Sequence, residues 1–273
     1  IFFYPTVFYS RHKYQDTFFL IFVYNHFSIM LVSIIIPYYK SERFIRKTIA
    51  SIINQSYKNW EAIIIDDENS KISLRAISFL KDRRIKILKN INNKGVAKTR
   101  NIGISKAKGS LVAFLDSDDY WHKDKLKFQI SLMRKNNYNI SYTSYTAFEK
   151  NKDVKYFVKA KSRLKFSSLI KSNPICCSSV VVKKKFLSKN PFPNLKTKED
   201  YALWLKISKK YDFYPIDKNL TFHRIRKDSL SSFHFNKLIN AFTIYNNFLR
   251  LNIVYSFYCV VRLYINAFIK KYL

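Results

Sequence analysis

The alternation of short apolar runs with amphipathic stretches constrains the fold of this chain more than any other feature of its sequence. Four largely apolar runs are too short for helices, and they cover residues 32–36, 61–65, 85–88 and 111–115. Each is followed by apolar residues at helical spacing, in residues 44–53, 74–80, 96–107 and 123–134. Because parallel strands need a crossover that is usually a helix, this order predicts an α/β fold with a Rossmann-like, mostly parallel sheet flanked by helices.

The pattern weakens after about residue 140, where we predict only a strand at residues 178–182 and a short helix at 200–209. Residues 238–273 hold long apolar stretches broken by basic residues, which predicts C-terminal amphipathic helices. Arg262 lies near the middle of the stretch 251–269, and a charge there costs about 2.5–3.5 kcal/mol on insertion into a bilayer. Two interpretations stay open, namely a helix in the membrane surface and an amphipathic helix packed on the domain.

The first 29 residues differ from the rest of the chain. They show no clear period before Met30, where the first apolar run begins. No Asp, Glu, Lys or Arg occurs between Asp16 and Lys40, but Pro37 and several polar residues interrupt this apolar stretch. We interpret residues 1–29 as a non-native extension upstream of a start at Met30, with a membrane anchor as the alternative.

The charge balance is strongly basic, with 50 Lys and Arg against 18 Asp and Glu and a formal net charge of +32. This balance favours nucleic acid or an anionic membrane surface as a partner, but A/T-rich codons produce the same composition. Both explanations stay open. The basic residues are spread throughout and form no known binding motif, so nucleic acid is not expected as a partner.

Glycine and cysteine usage excludes several classes of site. The three glycines (Gly95, Gly103 and Gly109) cannot form GxGxxG or GxxxxGK[ST], which excludes dinucleotide-type Rossmann sites and P-loops. Three cysteines provide neither a disulfide framework nor a CxxC metal pair, which fits a reducing compartment. The histidines show no metal-ligand spacing and are left unassigned; they include His122, His223 and His234.

Acidic residues are scarce but fall in three clusters, Asp66–Glu68, Asp116–Asp119 and Glu199–Asp200. The first two follow predicted strands directly, and ligands of parallel sheets bind at the carboxyl ends of strands. Neighbouring carboxylates repel each other unless a cation compensates, and Mg²⁺ or Mn²⁺ prefers oxygen ligands. An Asp after a strand can also simply cap the next helix, but two such clusters at equivalent positions favour a metal site that handles phosphates.

Five segments occur in the order typical of one enzyme family. They read VSIIIPYY at residues 32–39, DD with Ser70 at 66–70, NKGVAKTRNIGISKAKG at 93–109, FLDSDDYW at 114–121 and EDYALWL at 199–205. Together they resemble the inverting glycosyltransferases of family 2, which have the GT-A fold. The resemblance extends over roughly residues 30–232, and the combination is far more specific than any one segment.

The resemblance implies a role for each matching residue. Tyr39 and Asp67 would hold the base of a nucleotide-sugar donor. Residues 116–118 match the family's Asp-x-Asp motif, with Asp116 near the ribose and Asp118 as the ligand of Mg²⁺ or Mn²⁺. Asp200 matches the catalytic base, which takes the proton of an acceptor hydroxyl.

Further roles are implied less directly. Glu199 would orient the acceptor or Asp200, and Arg100 would lie beside the donor pocket, with a structural role as the alternative. Trp121 and Trp204 lie beside acidic clusters and could stack on sugars, with Trp204 assigned to the acceptor side. A core position is the alternative for both tryptophans.

Three departures from the family pattern stand out. The usual DDGS reads DDENS, which introduces Glu68 and Asn69, and Lys40 replaces the usual Asn. Arg226 stands where the family has a His near the end of the catalytic domain. Arg226 could contact the donor diphosphate directly, or it could reflect weak metal dependence or lost activity.

The resemblance therefore implies an inverting, metal-dependent transferase that moves a sugar from a nucleotide-sugar donor to an acceptor hydroxyl. We predict a catalytic domain at residues 30–235 and a C-terminal helical segment at 236–273, for which an anionic membrane surface is one of the two open placements. The expected acceptor is a lipid-linked or envelope glycan, and the expected location is cytoplasmic, peripheral on the cytoplasmic face of the inner membrane. A degraded family member and a basic surface-binding protein remain alternatives, whereas PYYKSERF lacks the glycine-rich loop of a nucleotidyltransferase.

Overall fold

The computed structural model describes residues 30–149, 153–226 and 236–272. Leu31 to Leu273 form one compact unit, so the C-terminal helices belong to the same unit as the sheet. The predictions for residues 1–29 fall outside the described residues, and His234 also lies outside them.

The first half of this unit alternates strands and helices as predicted, except that a short unpredicted strand precedes its fourth helix. In chain order its elements are β1 (Val32–Tyr38), α1 (Ile45–Ile53), β2 (Trp60–Asp66), α2 (Lys71–Ile77), β3 (Ile85–Lys89), α3 (Val96–Lys106), β4 (Leu111–Phe114), β5 (Tyr120–Trp121) and α4 (Lys125–Lys135). The α2 helix begins three residues before the predicted start, because Ser70 and Ser73 form a reciprocal capping box at its first turn.

The second half contains more strands than the sequence indicates. Its elements are β6 (Ile140–Phe148), β7 (Val154–Val158), α5 (Phe166–Leu169), a 3₁₀ turn (Cys177–Ser179), β8 (Val181–Lys183), α6 (Lys184–Ser188), α7 (Glu199–Ser208), β9 (Tyr214–Arg224), α8 (Asn236–Thr243), a π-helical turn (Ile244–Phe248) and α9 (Ile253–Tyr272). The predicted strand at 178–182 is thus divided between the 3₁₀ turn and the short strand β8.

The described strands form one nine-stranded sheet in the order β3-β2-β1-β4-β8-β6-β9-β5, and β7 pairs with β6. Strands β3, β2, β1 and β4 run parallel to one another. Beyond β4 the pairings are mixed, since β8 runs antiparallel to β4 and β6, whereas β9 is parallel to β6. The predicted α/β fold, with a mostly parallel sheet flanked by helices, is confirmed.

The centre of the sheet is buried on both faces, whereas its β3 edge is exposed. Every residue of β1 and β2 is buried, and α3 packs closely against them at Gly103. A Cβ on Gly103 would lie 2.6 Å from Cγ2 of Ile35, so only glycine allows this approach without displacing the strand residue. On the β3 edge, which reads IKILK, Lys86 and Lys89 are exposed, and Lys86 Nζ lies 2.9 Å from the Glu61 carboxylate.

Strand β6 escapes sequence prediction because many of its buried side chains are polar. All nine residues of β6, which reads ISYTSYTAF, are buried. Their hydroxyls find partners inside the protein: Thr143 Oγ1 lies 2.9 Å from Thr221 Oγ1, and Ser141 Oγ accepts from Gln129 Nε2 at 3.1 Å. Satisfied hydroxyls can be buried at little net cost, so the strand needs no hydrophobic alternation.

The predicted C-terminal helices are present and pack against α7. Tyr245, in the π-helical turn, lies 2.8 Å from the hydroxyl of Tyr201 and donates to the carbonyl oxygen of Ile170 at 2.9 Å. One face of α9 is buried, through Ser256, Cys259, Val260 and Leu263. No helix within residues 30–149, 153–226 and 236–272 combines the length and apolarity needed to cross a bilayer.

Candidate functional site

The carboxyl ends of β1, β2 and β4 bring the predicted donor-side residues to one edge of the sheet. Tyr39 follows β1, Asp67 follows the last residue of β2, Asp66, and Asp116 lies two residues after β4. Because these strands are parallel neighbours, their carboxyl ends lie together. This is the edge at which open α/β sheets bind ligands.

Asp66 and Asp67 have different partners. Asp66 Oδ1 accepts from the backbone N–H groups of Glu68 and Asn69 at 3.1 and 3.0 Å, so it shapes the turn after β2. Asn69 has a left-handed φ of 52°, which asparagine adopts more readily than most residues. Asp66 thus has a structural role in this turn, whereas Ser70, not Asp66, caps the helix that follows.

Asp67 is buried and holds the loop that precedes α3. Its Oδ1 accepts from Asn90 Nδ2 at 2.7 Å and from the Lys94 N–H at 2.8 Å, and its Oδ2 accepts from the Gly95 N–H at 3.0 Å. Gly95 has a φ of +80°, which L-residues rarely adopt. These bonds fill three of about four acceptor positions of a carboxylate, and the contact to a donor base remains a prediction.

Two departures from the family pattern, Lys40 and Glu68, meet each other in the structure. The backbone N–H of Lys40, which has a left-handed φ of 45°, donates to Glu68 Oε2 at 3.0 Å. Glu68 Oε1 accepts from Ser70 Oγ at 3.0 Å. The Glu68 carboxylate therefore ties the loop after β1 to the loop after β2, beside Tyr39, whose ring is 45% exposed.

Arg100 joins the donor-side and acceptor-side acids in one buried network. It extends from α3, is only 3% exposed, and donates through Nη2 to Asp116 at 2.6 Å and through Nη1 to Glu199 at 2.5 Å. Burial alone would lower the pKa of Arg100, but the facing carboxylates raise it well above its usual value. The guanidinium is therefore a fixed positive charge between the end of β4 and the start of α7.

Glu199 and Asp200 begin α7 beside this charge. Burial raises the pKa of Glu199 to about 7, although Arg100 opposes the shift. Burial also raises the pKa of Asp200, again against Arg100, and Asp200 Oδ1 accepts from the Tyr201 N–H at 2.7 Å. Lys198, just before them, has a left-handed φ of 61°. Asp200 is half-buried and Glu199 is buried, so Asp200 is the more accessible carboxylate.

Asp118 faces Arg226, the residue that replaces the family's His. Arg226 Nη1 lies 3.6 Å from Asp118 Oδ2 and donates to the carbonyl oxygen of Lys40 at 3.3 Å. Burial, followed by the charges of Asp119 and Asp116, raises the pKa of Asp118 to about 7, whereas His223 and Arg226 lower it. A cationic side chain thus already lies beside the carboxylate predicted to bind a metal.

The sequence analysis missed a second cluster, formed by Asp119, Cys176 and His223. Ligand atoms of these three residues lie within 4.8 Å of one another. Asp119 is fully buried and accepts from Ser178 Oγ at 2.6 Å and from the Arg224 N–H at 2.8 Å, while His223 Nδ1 lies 3.2 Å from both its oxygens. Burial would lower the pKa of His223, but the Asp119 carboxylate raises it well above its usual value. No local spacing in the sequence indicates this cluster, because Cys176 and His223 are 47 positions apart and β6 lies between them and Asp119 in the chain.

The structure corrects the acceptor-side assignment of Trp204. Its side chain is fully buried, and its ring centroid lies 5.5 Å from that of Phe213 and 6.1 Å from those of Phe114 and Phe192. An indole enclosed by three aromatic rings offers no face to a sugar. Trp121 is likewise a core residue, and its Nε1 donates to the carbonyl oxygen of Ser178 at 2.8 Å.

The donor set at this edge fits a divalent cation. Asp116 and Asp118 offer carboxylate oxygens, the ligands that Mg²⁺ and Mn²⁺ prefer. Burial, followed by the charges of Asp119 and Asp116, raises the pKa of Asp118 to about 7, and a dication would offset both the burial of the charge and the repulsion. Asp118 is the side chain that would hold it, with Asp116 beside it.

Comparison with known proteins shows the family of this chain. The model of Glycosyl transferase family 2 matches residues 33–190. The chain is 36% identical over 244 residues to the Escherichia coli UDP-Glc:alpha-D-GlcNAc-diphosphoundecaprenol beta-1,3-glucosyltransferase WfgD, covering 89% of this chain and 95% of that protein. It is 31% identical over 246 residues to the putative teichuronic acid biosynthesis glycosyltransferase TuaG of Bacillus subtilis (strain 168), covering 88% and 97%.

Solved structures agree on the fold. S. aureus TarS 1–349 in complex with UDP-GlcNAc superposes with a TM-score of 0.68 at 19% identity, over 88% of this chain and 73% of that one. The mannosyltransferase PcManGT from Pyrobaculum calidifontis, in complex with GDP-Man and Mn²⁺, superposes with a TM-score of 0.62 at 14% identity, over 84% and 69%. The family model covers more than half of the chain and the two relatives match it over most of their length, so the chain belongs to glycosyl transferase family 2.

Proposed function

We propose that this protein is an inverting, metal-dependent glycosyltransferase that transfers one sugar from a nucleotide-diphosphate sugar to a hydroxyl of a lipid-linked or envelope glycan. The bridge of Arg100 between Asp116 and Glu199 is the observation that carries the proposal. It holds acids from the end of β4 and the start of α7 on one guanidinium, so a donor beside Asp116 and an acceptor beside Asp200 would share one site.

The donor side consists of Tyr39, Asp67 and Asp116. The exposed ring of Tyr39 offers a surface for a nucleobase, and Asp116, with 29% of its side chain exposed, can still accept from a ribose hydroxyl. Two relatives act on or bind uridine nucleotide sugars, according to their names. We therefore infer a UDP-sugar as the donor.

A divalent cation held by Asp118 would act as a Lewis acid that stabilises the charge of the leaving diphosphate. Arg226 lies next to this carboxylate and can donate to phosphate oxygens at the same time, since a guanidinium carries five N–H groups. Arg226 is thus the second positive charge that we assign to the donor diphosphate.

Asp200 is the base in this proposal. It accepts the proton of the acceptor hydroxyl while the hydroxyl oxygen attacks the anomeric carbon from the face opposite the diphosphate. The bond between that carbon and the diphosphate oxygen breaks, and the nucleoside diphosphate leaves with the electron pair. Burial favours this role, because it raises the pKa of Asp200 and so makes its carboxylate a stronger base.

The acceptor class follows from the relatives and the charge. One relative is named for transfer to a diphosphoundecaprenol-linked sugar and another for a cell-wall polymer. A net charge of +32 suits an acceptor in an anionic membrane surface. We propose a cytoplasmic enzyme, peripheral on the inner membrane, that acts on a lipid-linked sugar.

Release of nucleoside diphosphate tests the proposal directly. The purified full chain is screened against UDP- and GDP-sugars with Mn²⁺ or Mg²⁺ and a GlcNAc-diphosphate lipid as the acceptor. Asp118→Ala and Asp200→Asn are compared with Asp217→Asn, a matched control at a half-exposed carboxylate that pairs with Lys159. We expect release that requires metal and acceptor, survives Asp217→Asn and fails in the other two variants.

The same screen separates the alternatives. The anomeric configuration of the product, read by NMR, would be inverted relative to the donor; a retained configuration would contradict the mechanism. Donor binding without release would mean that the acceptor is wrong. No binding of any nucleotide sugar would favour a degraded family member, in which Arg226 has replaced the family's His.

A further inference from the structure

The α9 helix exposes a continuous apolar face opposite the face that packs on the protein. Val254 is 80% exposed, Phe257 65% and Phe268 62%, and the remaining members of this stripe are Tyr258, Val261, Ile265 and Ile269. At 100° per residue these positions lie on one side of the helix, and the buried Ser256, Cys259, Val260 and Leu263 lie on the other. We call this exposed face the α9 stripe.

An exposed helix normally turns charged or polar side chains to water. The α9 stripe runs along a helix of 20 residues, about 30 Å long. An open groove of about 810 Å³ lies at its amino-terminal end, lined by Asn246, Asn252, Ile253, Val254, Tyr255 and Tyr258. A surface of this length and apolarity indicates a partner with an apolar interior.

The charged residues of the C-terminal segment all have one sign. Residues 229–273 contain no Asp or Glu, and their five charged residues are basic. One of them, Arg262, is exposed and lies beside the stripe, at the position expected of a side chain that reaches from an apolar surface to headgroups. A basic, acid-free segment complements anionic lipid headgroups, whereas a second copy of the same face would meet like charges.

The α9 helix lies beside the start of α7, which carries Asp200. Lys198 Nζ, two residues before Asp200, lies 5.4 Å from the centre of the Tyr264 ring. Asn266 Nδ2 donates to the Lys171 carbonyl oxygen at 2.8 Å, and Asn240 Nδ2 of α8 to Thr197 Oγ1 at 2.9 Å. A partner on the outer face of α9 is therefore one helix thickness away from the acceptor side of the site.

We propose that the α9 stripe docks on an anionic lipid bilayer, with the helix axis in the plane of the membrane. In this arrangement the stripe enters the boundary between headgroups and acyl chains, and the basic residues contact lipid phosphates. The inference rests on the proposed function, because a lipid-linked acceptor is what makes the position beside Asp200 useful. The bilayer then presents the acceptor headgroup directly to the site.

Co-flotation of the purified full chain with vesicles tests the docking surface. Vesicles of phosphatidylcholine alone are compared with vesicles containing 30% phosphatidylglycerol, at low and at high salt. Phe257→Glu and Ile265→Glu introduce a charge into the stripe, and Ile72→Glu, which is 64% exposed on α2, is the matched control. Circular dichroism and thermal unfolding establish that each variant is folded.

We expect binding to phosphatidylglycerol vesicles that weakens as salt rises, and a loss of affinity of about tenfold or more in both stripe variants. The Ile72→Glu variant should bind like the original chain. The proposal is overturned if the chain does not bind these vesicles, or if Ile72→Glu weakens binding as much as the stripe variants. It is also overturned if light scattering shows a dimer that Phe257→Glu dissociates, because a second copy would then cover the stripe.

A parallel assay separates docking from catalysis. Transfer to a short-chain, water-soluble analogue of the lipid acceptor needs no bilayer, so the stripe variants should retain it. Asp200→Asn should lose transfer but keep full vesicle binding. Vesicle binding without sugar transfer by the original chain would contradict the proposed function alone. Sugar transfer without vesicle binding would contradict the docking surface alone.

Discussion

Replacing Arg100 by Met tests whether the buried guanidinium holds the two halves of the site together. The change removes charge-assisted hydrogen bonds of 2.6 Å to Asp116 and 2.5 Å to Glu199. Asp116 has 29% of its side chain exposed and can regain water, whereas Glu199 has 9% exposed and cannot. Most of the loss therefore comes from Glu199, and removing one partner of a buried ion pair costs about 3–5 kcal/mol.

The pH dependence of this loss follows from the pKa of Glu199. Burial already raises that pKa to about 7, and Arg100 is the charge that opposes the shift. Without Arg100 the folded-state pKa rises further above the unfolded value, so the folded variant binds a proton near neutral pH. Stability from a raised carboxyl pKa is present at low pH and lost as pH rises. The variant should thus lose more stability at pH 8 than at pH 6.

Urea unfolding followed by tryptophan fluorescence measures the effect, at pH 6 and pH 8. Arg75→Met, at an exposed position on α2, is the matched control and should change the free energy of unfolding by less than about 0.5 kcal/mol. The double variant Arg100→Met/Glu199→Gln should regain part of the lost stability, because it no longer buries a lone charge. A loss below about 1 kcal/mol, an equal loss at both pH values, or no recovery in the double variant would refute the reasoning.

Three further predictions concern the site and the packing. The rate of transfer at low substrate concentration should rise with pH through the pKa of Asp200, which burial raises, because only the ionised carboxylate accepts a proton. A pH–rate profile that does not rise in this way would contradict the role of Asp200 as the base. Gly109→Ala should lower the melting temperature more than Gly103→Ala. A Cβ at position 109 would lie 2.5 Å from the backbone oxygen of Leu31, whereas a Cβ at position 103 meets side chains that can move. Equal shifts of the melting temperature would argue against a rigid backbone contact at Gly109. Tyr201→Phe removes the hydroxyl that is hydrogen-bonded to Tyr245 and to the Leu169 carbonyl oxygen. It should destabilise the protein by about 1–3 kcal/mol and speed proteolysis of the C-terminal helices. An unchanged rate of cleavage would show that other contacts hold the C-terminal helices in place.

The first half of the fold could be predicted because each element there follows a simple hydrophobic period. β1 and β2 are apolar runs buried on both faces, and parallel strands of this kind need no polar alternation. The strands after residue 140 could not be predicted in this way. In β6, Ser141 and Thr143 are buried through hydrogen bonds to residues far away in the chain, and no local pattern encodes those partners.

The acidic residues of the site could be located from their positions after strands, but their partners could not. Asp116 and Glu199 are 83 positions apart, and only the folded chain shows that Arg100 joins them. Trp204 illustrates the opposite error, since its place next to Glu199 and Asp200 suggested a sugar contact. The helical turn directs its side chain into the core instead, where three aromatic rings enclose it.

The exposed β3 edge has a consequence for the behaviour of the protein in concentrated solution. An open edge strand can pair with the edge of another molecule, and natural sheets prevent this with lysines and with short edge strands. β3 has five residues, Lys89 is exposed on it, and Lys86 pairs through its ammonium with the Glu61 carboxylate. Two molecules that approached through this edge would have to bring their Lys89 ammonium groups together and desolvate two Lys86–Glu61 ion pairs. Part of the large positive charge therefore protects the sheet from aggregation, whatever binds elsewhere on the protein.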